Sequence, residues 1–189
     1  AMRHEVNMLK DVKATFYGEG LVQAMMRDYI PSSPKDAFIG IVKPALISGE
    51  MRELNAKLHR ENPFYGIMGE RHVETVLKLA KNLRTKNILD YGCGKGLLGR
   101  GIPWQIAEYD PAIPGKEELP KPADLVCCFD VLEHVEPDKL EFVLDDLRRC
   151  IRQVGFFVIN TGPAQKVLSD GRNTHLIQEN AEWWRTKLS

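Results

Sequence analysis

The chain has 189 residues, 43% hydrophobic and 28% charged, which suits one soluble globular unit with a substantial core. Lys plus Arg and Asp plus Glu each number 26, so the formal net charge is zero. Tight binding to long nucleic acid, which draws on a basic excess, is therefore disfavoured, although a local basic patch is compatible with a neutral total. No apolar run approaches the roughly 18 residues of a membrane span, and the opening "AMRHEV" has no apolar stretch of a secretory signal, so the expected location is cytoplasmic.

The first 85 residues carry helical periodicity broken by turn residues and nothing that reads as a central strand. Leu21, Val22, Met25, Met26 and Tyr29 recur at helical spacing, "YIPSSPKDAF" interrupts them, and Met51, Leu54 and Leu58 resume the pattern. Residues 61 to 72, "ENPFYGIMGERH", place Phe64 and Tyr65 beside glycines, a composition suited either to a lid on the substrate side or to a linker with both rings buried. Val73, Val76, Leu77, Ala80 and Leu83 then form one apolar stripe on a helix that must pack on the following unit. The expected division is a helical segment over 1–85 and an α/β core over 86–189.

From residue 87 the chain alternates as an α/β sheet does. The pattern predicts strands over 87–91, 104–109, 124–129 and 154–160, a short helix after Gly96, and a helix over 137–150. Leu140, Val143, Leu144, Leu147 and Ile151 supply that helix's buried face, with Pro137 in its first turn. Cys93, Cys127, Cys128 and Cys150 show neither metal nor disulfide spacing and are expected to be reduced. Residues 111 to 123 are too short and proline-rich for a crossover helix plus a strand, and one more helix, in "ENAEWWRTKL", follows Asn160. The sheet should be narrow, about four parallel strands, with edges covered by the N-terminal helices or by a second copy in a homo-oligomer.

Two fingerprints overlap in the turn after the first strand. Gly94-Lys95-Gly96-Leu97-Leu98-Gly99 fits G-x-G-x-x-G, and Asp90-Tyr91-Gly92-Cys93-Gly94-Lys95-Gly96 fits D-x-G-x-G-x-G. A dinucleotide site needs a helix beginning at the second or third glycine to carry the pyrophosphate, and here Gly99, Gly101 and Pro103 interrupt the helix at once. Asp90 suits an ammonium-bearing ligand, and Asp110 suits a ribose of either ligand. Lys95 followed by Gly96 does not make a phosphate-binding P-loop.

The segments "ILDYGCGKG", "AEYDPA" and "DLVCCFDVLEHVEP", followed by "VGFFVINTGPA", resemble in order the motifs of class I S-adenosylmethionine-dependent methyltransferases. "DGRNTHLIQENAEWW" is similar to the later part of small bacterial and phage-type members. The resemblance covers roughly residues 86 to 165 and implies a Rossmann-like, mostly parallel sheet, abbreviated in its third strand and C-terminal strands. It implies S-adenosylmethionine as donor, S-adenosylhomocysteine as product, and a small-molecule or single-residue acceptor. Carried over, Asp90, Gly92 and Gly94 would contact the methionine portion, with Tyr91, Cys93 and Gly96 also in the cofactor site. Asp110 would meet the ribose hydroxyls, with Tyr109 and Pro111 also in the cofactor site, Leu119 would help enclose the adenine, and Phe129 and Asp130 would border the methyl group and the substrate.

Asp130, His134 and His175, with Glu133, are the candidate bases for an acceptor that must lose a proton. The same four resemble the carboxylate and histidine set with which RNA-end 2′-O-methyltransferases hold a divalent metal. "LEHV" is widespread in metal-free relatives, where Glu and His cap or orient the next helix, and no metal is expected. Two alternatives stand beside the main reading: a metal-assisted RNA-end enzyme, and a non-catalytic module that binds S-adenosylmethionine. Trp183-Trp184 reads as an anchor for the last helix, with base stacking as the rival role.

Overall fold

The computed structural model describes residues 45–188 and, as backbone, two further strands, Lys13–Thr15 (β1) and Leu21–Arg27 (β2). The other elements in chain order are α1 (Gly49–Glu61), α2 (Val73–Leu83), β3 (Ile88–Tyr91), α3 (Leu97–Gly101), β4 (Ala107–Tyr109), β5 (Ala123–Phe129), α4 (Leu140–Cys150), β6 (Ile151–Asn160) and α5 (Ala181–Leu188). One sheet runs β1-β2-β6-β5-β3-β4. The four strands β6, β5, β3 and β4 are mutually parallel, while β2 pairs antiparallel with β6, and β1 antiparallel with β2.

The parallel strands divide their side chains between two cores, as a period of two requires. Leu125, Cys127 and Phe129 face α2 and α3, together with Ile88, Phe156 and Val158. Val126 and Cys128 face α4 and α5, together with Leu89, Phe157 and Ile159. The apolar stripe of α2 closes the first layer, with Val76 and Ala80 fully buried, and the helix ends at Arg84 in a left-handed conformation. In the second layer Trp184 is wholly buried and Trp183 half-buried, meeting it edge-on at 5.0 Å.

Several expectations need correction. The helical reading of Leu21, Val22, Met25 and Met26 fails, because Leu21–Arg27 is a strand paired along its length with Val154–Asn160; Tyr29 lies outside the described residues. That strand, rather than a helix, covers the β6 edge. The strand expected over 104–109 shortens to Ala107–Tyr109, since Trp104 turns aside and donates its indole N–H to the Lys86 carbonyl at 3.1 Å. Ile151 opens β6 instead of completing the helix before it, and Pro137–Lys139 form a 3-10 turn ahead of α4.

The abbreviated core stands as expected: residues 111–122 form turns with neither helix nor strand, and among the described residues no strand of the sheet follows β6. All four cysteines are free and buried. Among the described residues no helix is long and apolar enough to cross a membrane.

Candidate active site

The C-terminal ends of β3, β4 and β5 open into a cavity of about 460 Å³, covered by α1 and by the segment that follows it. Loops at the carboxyl ends of parallel strands are where an α/β sheet exposes backbone groups to a ligand. The position of α1 is fixed at its start. Ser48 accepts the Met51 N–H through its side chain at 3.0 Å, and its own N–H donates to Glu136 Oε2 at 2.7 Å, tying the helix to the turn before α4.

The glycine turn after β3 forms the floor under this cover. Gly92 and Cys93 donate their N–H groups to the Tyr109 carbonyl, Gly94 donates to Asp110 Oδ2 at 3.0 Å, and Lys95 donates to the Gly66 carbonyl at 2.9 Å. Gly96 donates to the Cys93 carbonyl at 2.8 Å and caps α3 with φ +69°. The amides of residues 92–96 are committed to protein acceptors, and α3 has only five residues, so the turn offers a pyrophosphate little of the N–H cluster and helix dipole that a dinucleotide site uses. The dinucleotide register is weakened by this commitment and by the shortness of α3.

Asp90 is 3% exposed at the end of β3, and burial together with Glu108 pushes its carboxyl up to about 7, against the opposing pull of Lys116. A buried carboxylate in this state welcomes a cationic partner. Asp110 bridges two loops: Oδ2 takes the Gly94 N–H, and Oδ1 takes the Ala112 N–H at 2.9 Å.

The wall after β5 holds the other acids. Asp130 has φ +53°, rare for a residue with a side chain, and its N–H donates to the Val158 carbonyl at 2.9 Å. Its Oδ1 accepts from Asn160 Nδ2 at 2.7 Å, and burial raises its pKa to about 6. Glu133, wholly buried, accepts from the Asn160 N–H and Nδ2 through Oε1, and burial lifts it to about 8.

His134 and His175 meet edge-on, ring centroids 4.8 Å apart. Asn173 shapes the loop that brings His175 there, bonding both the N–H and the carbonyl of Ala164 and accepting the His175 N–H. Burial and the neighbouring His175 hold His134 neutral, with its pKa lowered to about 3, so it is a weak base.

The roof is the segment 62–72. Tyr65 stands between His59, at 4.6 Å, and His134, at 5.8 Å, and its hydroxyl donates to Asn55 Oδ1 at 3.2 Å. Burial raises its phenol well above the usual range. Lys95 Nζ donates to the Asn62 carbonyl at 2.6 Å, and Lys166 Nζ to the Phe64 carbonyl at 3.0 Å. Phe64 itself is 72% exposed at the rim.

The structure thus gathers Asp90, Tyr91, Gly92, Cys93, Gly94, Tyr109, Asp110, Pro111 and Phe129 on one cavity with Asp130, His134, His175, Phe64 and Tyr65. Two expected residues stand apart. Gly96 faces the Glu108–Lys116 ion pair, and Leu119 is 45% exposed on the loop between β4 and β5, away from the cavity lining. Sequence reasoning missed His59, Asn160 and Lys166, which line the same cavity. His59 had a signal in hindsight, as the histidine on α1 one turn before an aromatic-glycine segment.

The chain matches the methyltransferase-domain family over residues 64–188. No curated protein matches it. A similar solved structure is that of the 1,6-didemethyltoxoflavin-N1-methyltransferase of Burkholderia thailandensis with bound 1,6-didemethyltoxoflavin and S-adenosylhomocysteine. The two share 16% identity and a TM-score of 0.51, with 88% of this chain and 82% of that one covered. That likeness concerns the fold. The family match spans about two thirds of the chain, which therefore belongs to the methyltransferase-domain family, with S-adenosylmethionine as its methyl donor.

Proposed function

We propose that the chain transfers the methyl group of S-adenosylmethionine to a small molecule enclosed between the glycine turn and the 62–72 roof. The observation that carries this reading is the roof: Lys95 and Lys166 bond its Asn62 and Phe64 carbonyls and Gly66 rests on Gly94, so the segment 62–72 covers a cavity of about 460 Å³, a size suited to a small molecule. The bound small molecule of the Burkholderia enzyme supports the same acceptor class. Residues 1–85 supply the lid on the substrate side, and 86–189 the donor-binding core together with the acceptor-facing Asp130, His134 and His175, in a cytoplasmic protein whose cysteines stay reduced.

In this reading Asp90 pairs with the donor's ammonium group, and Gly92 and Gly94 let its methionine portion approach the backbone. Asp110 accepts ribose hydroxyls, with Tyr109 and Pro111 alongside, and Phe129 borders the methyl group. The sulfonium arrives already activated, so the protein's work is to align it with the acceptor lone pair and to exclude water. Asp130, ionised at neutral pH and held by Asn160, takes the acceptor's proton where one must leave. His134 and His175 orient the acceptor.

The test is incubation of the purified chain with methyl-labelled S-adenosylmethionine and cell extract, followed by untargeted mass spectrometry of the small-molecule fraction. A labelled metabolite one methyl group heavier supports the proposal. Label confined to RNA, or donor binding without turnover, would overturn it in favour of an RNA-end enzyme or a binding module respectively.

A further inference from the structure

Among the described residues, Lys166 is the one lysine or arginine that lines the cavity. Its Nζ reaches the rim, where it donates to the Phe64 carbonyl at 3.0 Å and lies 5.7 Å from the centre of the Tyr65 ring. An ammonium group carries three donors, and this bond uses one of them. No carboxylate of the described residues pairs with it.

The carboxylates that share the cavity are engaged elsewhere. Asp110 accepts from Gly94 and Ala112, Glu136 from Ser48, and Asp130 from Asn160. Asp90 is buried at the floor, in the field of Glu108 and Lys116. The charge of Lys166 still reaches the acceptor half, because burial raises the pKa of Asp130 while Arg71 and Lys166 pull it back. Lys95, bonded to the Asn62 carbonyl, and Arg71, within the roof itself, have no carboxylate partner among the described residues either. In a chain of zero net charge, this end of the cavity therefore carries a local positive surplus, and a cleft with such a surplus concentrates small anions.

We propose that the acceptor carries an anionic group, a carboxylate or a phosphate, that pairs with Lys166 at the rim while its nucleophilic atom lies further in, beside Phe129 and Asp130. The inference rests on the small-molecule reading above and narrows its substrate class to small anions. The pairing also fixes the direction in which the acceptor sits, since an anion at the opposite end would meet Asp90 and Asp110. A lysine is a compact point charge that serves either anion.

The experiment divides a small-molecule cell extract on a strong anion exchanger at neutral pH into flow-through and retained fractions. Each fraction, and the unsplit extract, is incubated with the full chain and methyl-labelled S-adenosylmethionine. A labelled product from the retained fraction is expected. Label of equal or greater yield from the flow-through would overturn the proposal and leave the small-molecule reading in place, whereas no labelled small molecule from any of the three would overturn both. Alkaline phosphatase, applied to the retained fraction and removed before incubation, tells the sources apart: loss of label assigns a phosphate, and persistence a carboxylate.

Lys166→Gln retains a donor for the Phe64 carbonyl but gives up the charge. At subsaturating acceptor it should label the retained fraction about 10- to 100-fold more slowly, the span of a charge-assisted hydrogen bond, and Lys166→Arg should stay within about threefold of wild type. S-adenosylhomocysteine affinity, which reports folding, should be unchanged within about threefold in both. Undiminished labelling by Lys166→Gln, the result of a role confined to holding the roof, would overturn the proposal.

Discussion

Gly66 and Gly94 meet backbone to backbone: a Cβ on Gly94 would lie 2.8 Å from both the Cα and the carbonyl oxygen of Gly66. The adjacent Lys95 N–H donates to that same carbonyl, so the roof and the glycine turn are one construction. Gly94 also has φ +50°, where a side chain is strained in any case. Gly94→Ala should therefore destabilise the fold by about 1–3 kcal/mol. It should also abolish S-adenosylhomocysteine binding, both readable from thermal unfolding with and without ligand.

Asp110 is expected to separate structure from binding. Asp110→Ala leaves the Gly94 and Ala112 N–H groups without acceptors, at about 1–3 kcal/mol for each buried donor. Asp110→Asn retains one carbonyl oxygen but loses the charge, and should weaken S-adenosylhomocysteine by about 10- to 100-fold, the span of a charge-assisted hydrogen bond. Equal effects on unfolding temperature in the two variants would contradict this assignment.

The carboxyl of Asp90 gives binding a pH dependence of definite sign. Below its raised pKa of about 7 the group is neutral and cannot pair with an ammonium ion; above it the group is charged. A cationic partner favours the ionised form, so binding releases a proton and affinity rises with pH. Between pH 6 and 8 the ionised fraction, and with it the affinity for S-adenosylhomocysteine, should increase about tenfold. Asp90→Asn should bind more weakly and show a flat profile over that range.

Tyr65 belongs to the acceptor half. Tyr65→Ala removes the ring between His59 and His134 and should raise the acceptor KM by about tenfold, with S-adenosylhomocysteine affinity within about threefold of wild type. Tyr65→Phe retains the ring and gives up only the hydrogen bond to Asn55, so its KM should lie nearer wild type. A loss confined to donor affinity would place Tyr65 on the other side of the cavity.

Much of this architecture was legible because the α/β core announces itself locally. "NILDYG" is a buried parallel strand running into a glycine turn, and a continuous apolar run suits a strand covered on both faces. The same property misled further upstream. Leu21-Val22 and Met25-Met26 are apolar at consecutive positions, so the segment shows no alternation and satisfies helical spacing equally well. What makes it a strand is the hydrogen-bonding edge of β6, more than 120 residues away in sequence. No local window carries that information.

The candidate site divides in the same way. Asp90, Gly92 and Gly94 were readable because their roles depend on one turn, whereas Gly96 serves α3 and the Glu108–Lys116 pair. Leu119 was expected near the adenine from its place between β4 and β5, yet the proline-rich loop carries it to the surface. The convergence of Glu133, His134 and His175 depends on Asn173 and Gly162, which bend the loop after β6 back over β5, and spacing alone does not reveal such a return.

The most direct test of which ligand the turn holds is calorimetry of the untagged full chain with S-adenosylhomocysteine and, separately, NADH. A register that starts at Asp90, with the turn amides already engaged, predicts one molecule of S-adenosylhomocysteine bound per chain and no binding of NADH. Binding of NADH without binding of S-adenosylhomocysteine would contradict it.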